Sequence, residues 1–351
     1  MKQFIIEKNE AGQRLDKFLH KYLKEASFGF LYKMLRKKNI TLNEKKADGK
    51  ELLKEGDCVQ FFFSEETFDK FRGSADGQLK AESSVKPGSI SGMKEEKQLP
   101  SALAVYPRAF SQLKGIGIIY EDEDILLVNK PVGVLSQRAD PREPSLNEWL
   151  IGYLLDTGSL SKKQLETFKP SVCNRLDRNT SGLVICGKSL PGSQKMSELL
   201  RDRTLHKFYR TFVKGRVEES AHVKGFLLKD NALNKVTFRE EIKPEEKGYE
   251  AVETRYTPLA YYGKMTYLEV ELITGKPHQI RAHLAHQGHP ILGDTKYGDR
   301  SFNSHLSGFT PKWQLLHAYR LEFPLLAPPF EILSKRVFIA PEPEYFARIK
   351  K

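Results

Sequence analysis

The sequence predicts an α+β protein in two folded parts, a larger domain built on a mostly antiparallel sheet and a small N-terminal α/β domain. Three observations predict this. At 351 residues the chain is long for one core and comfortable for two. A stretch rich in Gly, Ser and charge, over 64–114, separates two segments with regular apolar patterning. Beyond it, short apolar runs of strand length recur between turn signals, and few stretches have helical spacing.

In the first segment, residues 1–63, Leu15, Phe18, Leu19, Tyr22 and Leu23 recur at the spacing of one helix face. Ser27 is placed to cap a second helix carrying Leu31, Met34 and Leu35, with Lys33, Arg36, Lys37 and Lys38 on that helix and just past it. A turn-rich stretch follows, then an apolar strand, Cys58-Val59-Gln60-Phe61-Phe62-Phe63. The next segment, 64–114, contains Phe71-Arg72-Gly73-Ser74-Ala75-Asp76-Gly77 and reads as a flexible linker. As a coil it would span roughly 40 Å, enough for the small domain to search for its surface independently.

From 115 to 351 the strand-like runs are Ile116-Gly117-Ile118-Ile119-Tyr120, Ile125-Leu126-Leu127-Val128, Leu183-Val184-Ile185-Cys186, Tyr209-Arg210-Thr211-Phe212-Val213 and Tyr267-Leu268-Glu269-Val270-Glu271-Leu272. Ser193 to Leu200 and Pro277 to His286 read as helices. No internal repeat, Walker-type loop or Rossmann glycine pattern is visible.

Composition narrows the function classes. No apolar run approaches the roughly 18 residues of a membrane span, and the N-terminus lacks the apolar core of a secretory signal, so a cytoplasmic protein is expected. Cys58, Cys173 and Cys186 form no CxxC pair and read as packing residues of a reducing compartment. A net charge of +12 favours a polyanionic partner, nucleic acid before anionic lipid. The first 63 residues hold 14 Lys and Arg against 9 Asp and Glu, so the small domain is the more densely basic.

Candidate chemistry concentrates in two clusters. Asn174-Arg175-Leu176-Asp177-Arg178-Asn179-Thr180-Ser181-Gly182 precedes an apolar strand. In an extended chain, Arg175 and Asp177 leave the same face, and Thr180 begins a small-residue turn beside them. The second cluster is Thr274-Gly275-Lys276-Pro277-His278-Gln279-Ile280-Arg281-Ala282-His283, continuing through Gly293-Asp294-Thr295-Lys296-Tyr297-Gly298; His278 and Arg281 would share a helix face. Four histidines here, His278, His283, His286 and His289, lack HExxH or cysteine partners, so no metal is expected. Two further elements are the strand His206-Lys207-Phe208-Tyr209-Arg210 and the strand end Asn129-Lys130-Pro131.

Together and in this order, over 116–323, these elements resemble the RluA-like branch of the RNA pseudouridine synthases, which acts on ribosomal and some transfer RNAs. Upstream, Arg14-Leu15-Asp16-Lys17-Phe18-Leu19, the basic second helix, Ile40-Thr41-Leu42-Asn43 and Glu55-Gly56-Asp57 resemble the alpha-L RNA-binding motif of ribosomal protein S four. The resemblance implies that Asp177 is the catalytic aspartate, Tyr209 the active-site tyrosine and Arg281 the arginine paired with the aspartate. Arg175 would handle the displaced nucleotide. Lys130, with Leu315, Leu316 and His317, would form pocket walls, and Lys130, Thr180 and His278 are placed with the RNA-contacting set. Lys33, Arg36, Lys37 and Lys38 would meet RNA. Asn174 stands where many members carry histidine.

Those residue types suit the reaction. Moving the glycosidic bond of uridine from nitrogen to carbon 5 changes no oxidation state and consumes no water, so no cofactor is expected. A carboxylate, aimed by a two-pronged pair with Arg281, acts as nucleophile or triggers glycal formation. Tyr209 stacks on the flipped base and helps remove the carbon-5 proton. The expected partner is structured RNA, ribosomal RNA or a pre-ribosomal particle ahead of transfer RNA, met by a monomer. A non-catalytic RNA-binding or ribosome-assembly factor would not need the anionic member of the trio. A nuclease or glycosidase would want a metal cluster or paired carboxylates.

Overall fold

The computed structural model describes residues 1–72, 103–230, 232–304 and 311–350. The first unit comprises β1 (Lys2–Ile5), α1 (Leu15–Tyr22), α2 (Phe28–Arg36), β2 (Ile40–Leu42), β3 (Lys45–Lys46), β4 (Cys58–Phe61) and α3 (Glu65–Arg72). Its four strands run antiparallel in the order β1-β4-β2-β3. Leu15, Phe18, Leu19 and Tyr22 of α1 and Leu31 and Leu35 of α2 are buried with Val59 and Phe61 of β4, because each helix places its apolar stripe against the sheet. The Ser27 hydroxyl caps α2, accepting from Phe30 N at 3.3 Å.

Two helices occupy the flanks of the segment read as a flexible linker. In α3, acidic residues begin the helix and basic ones end it, matching its dipole, and Phe68 joins the first core. On the far side α4 (Val105–Gln112) packs on α5 (Leu146–Asp156). Gly152 permits the close approach, since a Cβ there would lie 2.3 Å from the Tyr106 carbonyl oxygen. The linker therefore does not span 64–114 as read; residues 73–102, its Gly and Ser runs, lie outside the described residues.

The first unit is seated on the larger one rather than held apart from it. Thr167 Oγ1 donates to buried Glu10 Oε1 at 2.5 Å, and Arg72 pairs with Glu166 at 2.5 Å. Lys8 reaches Glu123 at 2.9 Å. These contacts revise the expectation of an independently searching domain.

After α4 the chain forms β5 (Gly117–Glu121), β6 (Ile125–Lys130), α5, β7 (Ser171–Val172), β8 (Ser181–Gly187), α6 (Leu190–Arg201), β9 (His206–Lys214), β10 (Ala221–Asp230), β11 (Lys235–Arg239), β12 (Tyr249–Tyr262), β13 (Met265–Leu272), α7 (Gln279–His286), α8 (Arg300–Ser304), β14 (Leu316–Glu322), β15 (Val337–Ile339) and α9 (Glu344–Ile349). The main path of the large sheet is β11-β10-β12-β13-β9-β14-β8-β6-β5, with β7 on β8 and β15 on β14. Its pairs are antiparallel except β14 with β8, as the α+β reading with a mostly antiparallel sheet expects. The β10, β11 and β12 strands were not read from sequence. In β12, Val252, Thr254 and Tyr256 are buried at a period of two while Glu250, Glu253 and Arg255 alternate with or flank them, and that charge hides the strand pattern.

The strand β14 joins two halves. On one side lie β8, β6 and β5, and on the other β9, β13, β12, β10 and β11. Apolar clusters cover the sheet, one including α5 and Tyr209, another including α6 residues and Phe338 of β15.

Candidate active site

The loop between β7 and β8 carries the first cluster. Ser136 Oγ accepts from Leu176 N and donates to Leu176 O, both at 2.9 Å, and buried Leu176 anchors the chain there. Arg175 is exposed and Asp177 half-buried on either side of it. Thr180 N bonds Asp177 O at 3.0 Å, closing a tight turn. Gly182 then runs at φ +112°, and a Cβ there would meet the Ala318 carbonyl oxygen at 2.2 Å; only glycine lets β8 pair so closely with β14. Asn174 accepts from Ile185 N at 2.7 Å, so this residue fastens the loop to β8.

Arg281 of α7 is the hub, with its side chain 5% exposed. Its Nη1 donates to Asp177 Oδ2 at 2.7 Å, while its Nε and Nη2 donate to the two oxygens of Asp294 at 2.7 and 2.9 Å. The two-pronged pair expected between Arg281 and Asp177 is therefore made with Asp294, and Asp177 receives a single prong. The reason is geometric: Asp294, buried behind the arginine, takes the Nε side of the fork and leaves one Nη for the cleft. Asp294 also accepts from Lys296 N and Tyr297 N at 2.8 and 3.0 Å. Burial opposes its ionisation, but Arg281 and these two amides outweigh burial and hold the carboxyl below its ordinary range. Burial likewise opposes the charge of Arg281, and its two carboxylate partners raise it further above its ordinary range. Sequence reading passed over Asp294; the available signal was an acidic residue among glycines directly after the histidine-rich helix.

His278 precedes α7 as its N-cap, in a left-handed conformation at φ +53°, an uncommon one for a non-glycine residue. It does not lie on the helix face with Arg281 as expected. The unusual backbone nonetheless aims its ring at the same carboxylate, with Nε2 3.9 Å from Asp177 Oδ2 and Nδ1 3.0 Å from the Tyr297 hydroxyl. Burial lowers the imidazole pKa, with Arg281 and Lys296 reinforcing and Asp177 opposing it. Tyr209 of β9 is buried against the first core cluster. Burial, then the negative charge of Asp177, raises its phenol pKa.

Two residues placed with the RNA-contacting set are buried, and a third is largely enclosed. Lys130 is fully buried at the end of β6, and its Nζ donates to the carbonyls of Pro131, Val134 and Arg178 at 3.0, 2.8 and 3.1 Å. It ties the 131–134 turn to the Asp177 loop and has no donor left for a phosphate. Burial draws its pKa down to about 7, against the pull of Asp177. Thr180 is also buried, with its hydroxyl 3.3 Å from Gln314 Nε2. His278 is mostly enclosed, but it faces the cleft carboxylate. Arg175, Lys33, Arg36, Lys37 and Lys38 are exposed. Arg36 also lines a cavity of about 450 Å³ with Tyr32, Leu35, Lys46, Ala47, Asp48 and Lys50.

The remaining histidines of the second cluster disperse. His283 bonds Thr254, His286 lies 3.7 Å from Glu240, and His289 bonds the Lys214 carbonyl. No group of three or more metal-ligating side chains is assembled among the described residues. No described helix is long and apolar enough to cross a membrane. What the site assembles is one accessible carboxylate held by a buried arginine, a neutral imidazole beside it, and a buried phenol within reach of its charge. A carboxylate so placed can attack an electron-poor carbon or accept a proton.

Comparison with known proteins bears on the same residues. The family model for RNA pseudouridylate synthase matches residues 124–286, a span that contains Asp177, Tyr209 and Arg281. Among curated relatives, the Ribosomal large subunit pseudouridine synthase C of Vibrio parahaemolyticus is 28% identical over 327 residues, covering 92% of this chain and 88% of that protein. The protein of the same name from Escherichia coli is 29% identical over 332 residues, covering 92% and 88%. The solved structure of Human RNA Pseudouridylate Synthase Domain Containing 4 shares the fold, with a TM-score of 0.53 and 21% identity over 70% of this chain and 95% of that one.

Proposed function

The chain belongs to the RNA pseudouridylate synthase family, and from that premise we propose that it isomerises uridines of large-subunit ribosomal RNA with Asp177 as the catalytic carboxylate. The observation that carries this reading is the Arg281 fork, which spends two donors on buried Asp294 and presents the third to Asp177 at 2.7 Å. An arginine braced in this way cannot follow a mobile carboxylate, so it fixes where Asp177 points.

In the reaction the bond from the ribose to the base nitrogen breaks, the base rotates, and the ribose carbon bonds carbon 5, which gives up its proton. Asp177 either attacks the ribose carbon or takes a proton from its neighbour. In both routes it loses its negative charge. That charge is one of the two causes raising the Tyr209 phenol pKa, so spending it on the sugar removes that cause and eases the ionisation that the phenol needs before it can accept the carbon-5 proton. No step changes an oxidation state, so the chemistry asks for no cofactor.

The ribosomal preference rests on the names of the relatives and on the exposed cations Lys33, Arg36, Lys37 and Lys38 of an alpha-L-like unit. These residues, with Arg175, are the proposed RNA contacts of a monomeric cytoplasmic enzyme; transfer RNA is the second substrate to test. The experiment is to map pseudouridines in ribosomal and transfer RNA with and without the gene, and after restoring it as Asp177→Ala. Loss of defined sites that the variant does not recover is expected. Unchanged modification without the gene would overturn the reading, and recovery by Asp177→Ala would overturn the role of that residue.

A further inference from the structure

Behind the Asp177 site lies a hydrogen-bond chain that reaches the edge of the sheet. Val236 N of edge strand β11 donates to the Tyr297 hydroxyl oxygen at 2.8 Å, and that hydroxyl lies 3.0 Å from His278 Nδ1. The guanidinium carbon of Arg281 sits 5.2 Å from the centroid of the Tyr297 ring. Tyr297 thus touches both groups that face Asp177.

The direction of this chain follows from counting donors and acceptors. The Val236 amide can only donate, so the Tyr297 oxygen is an acceptor on that side and its own proton is free. His278 Nδ1 is the available acceptor for that proton among the described residues. Were Nδ1 protonated instead, the half-buried Tyr297 proton would lack an acceptor there, which is costly for a donor withdrawn from water. The imidazole proton therefore belongs on Nε2, the nitrogen 3.9 Å from Asp177 Oδ2. The opposite tautomer would turn a lone pair towards the carboxylate.

Resting on the proposed role of Asp177, we infer that Tyr297 is a positioning residue for the reaction: its hydroxyl fixes the His278 tautomer that presents an N–H to the Asp177 carboxylate. The distance of 3.9 Å is too long for a hydrogen bond, so at this separation the N–H acts as an oriented dipole beside the Arg281 prong. Burial lowers the imidazole pKa, in keeping with a neutral ring at pH 7 that has a choice of tautomer. The left-handed backbone at His278 restricts the ring further.

Two measurements on the full chain test this. Nitrogen-15 spectra of the histidine-labelled protein should show His278 with a bare Nδ1 and a protonated Nε2, and Tyr297→Phe should mix the two tautomers. Single-turnover pseudouridine formation on a ribosomal RNA transcript should slow by about 5- to 20-fold in Tyr297→Phe, the loss of one hydrogen bond or slightly more, with the RNA concentration dependence unchanged. His278→Gln retains an amide donor near the Nε2 position, and adding Tyr297→Phe to it should cost no further rate. A protonated Nδ1 in the parent protein would overturn the inference, as would an unchanged rate in Tyr297→Phe or a full additional loss in the double variant. Failure of the family reading looks different: the parent protein itself would form no pseudouridine on any RNA, while the tautomer spectra would still decide the Tyr297 contact.

Discussion

Replacing Asp294 by Asn tests whether the buried brace behind Arg281 holds the site. The change keeps shape but removes the charge. Of the two bonds from Arg281, the amide oxygen retains one, and the amide nitrogen turns a donor against a donor at the other. A charge-assisted bond contributes about 1.5–3 kcal/mol, and stripping one partner from a buried ion pair costs about 3–5 kcal/mol. Arg281 keeps Asp177, so the low end applies, about 3 kcal/mol. For a domain of this size that lowers the melting temperature by roughly 6–12 °C at about 2–4 °C per kcal/mol. The acid side gives the sign. Because Asp294 titrates below its ordinary value of 3.8 when folded, its contribution is complete above that value and is lost as the pH falls through the folded value. The stability gap between parent and variant should therefore narrow below about pH 4. Freed from its brace, Arg281 can follow Asp177, and single-turnover rates should drop by about 10- to 100-fold. Calorimetry across pH and a single-turnover assay read both effects. A variant with the parental melting temperature and rate would refute the reasoning.

Further outcomes are expected from the same geometry. Tyr209→Phe should slow product formation by about 100-fold or more while leaving RNA affinity within twofold in filter binding; equal rates would remove Tyr209 from proton transfer. Lys130→Met strands three carbonyls and should cost about 2–4 kcal/mol in urea unfolding. The lysine pKa falls from 10.5 to about 7 on folding, so the unfolded chain holds the extra proton between those values and stability rises with pH across that window. Lys130→Met should abolish this rise, and an unaltered slope would count against it. Charge reversal of Lys33, Arg36, Lys37 and Lys38 together should lower the salt dependence of RNA binding by about 3 in log–log slope, if each meets one phosphate. An unchanged slope would place the RNA elsewhere.

The legible parts of the site were those carried by local pattern. Local pattern marked out the two polar runs that hold Asp177 and Arg281, the family resemblance picked these residues out of them, and the structure brings them to 2.7 Å. Asp294 was harder to read, since an acidic residue among glycines also suits an ordinary turn and acquires its bracing role only when 293–298 folds back on α7. Lys130 and Thr180 were misread for the converse reason: a lysine before a Pro turn looks solvated, and only the converging carbonyls of three segments bury it. The helix α3 was hidden by its polar surroundings, with Phe68 as its sole buried residue.

The insertion of β14 between β9 and β8 has a consequence for how the enzyme comes into being. Asp177 leads into β8, Tyr209 lies on β9 and Arg281 follows β13, so the trio is divided between two half-sheets whose strand ladders are joined, among the described residues, by β14. During synthesis every one of these residues leaves the ribosome well before β14 does. The half-sheets can each begin to order, but their shared edge stays open until the chain is nearly finished, and closing it demands contacts of long sequence separation, which form slowly. A polypeptide released early, before residue 316, would hold every proposed catalytic residue and no assembled cleft.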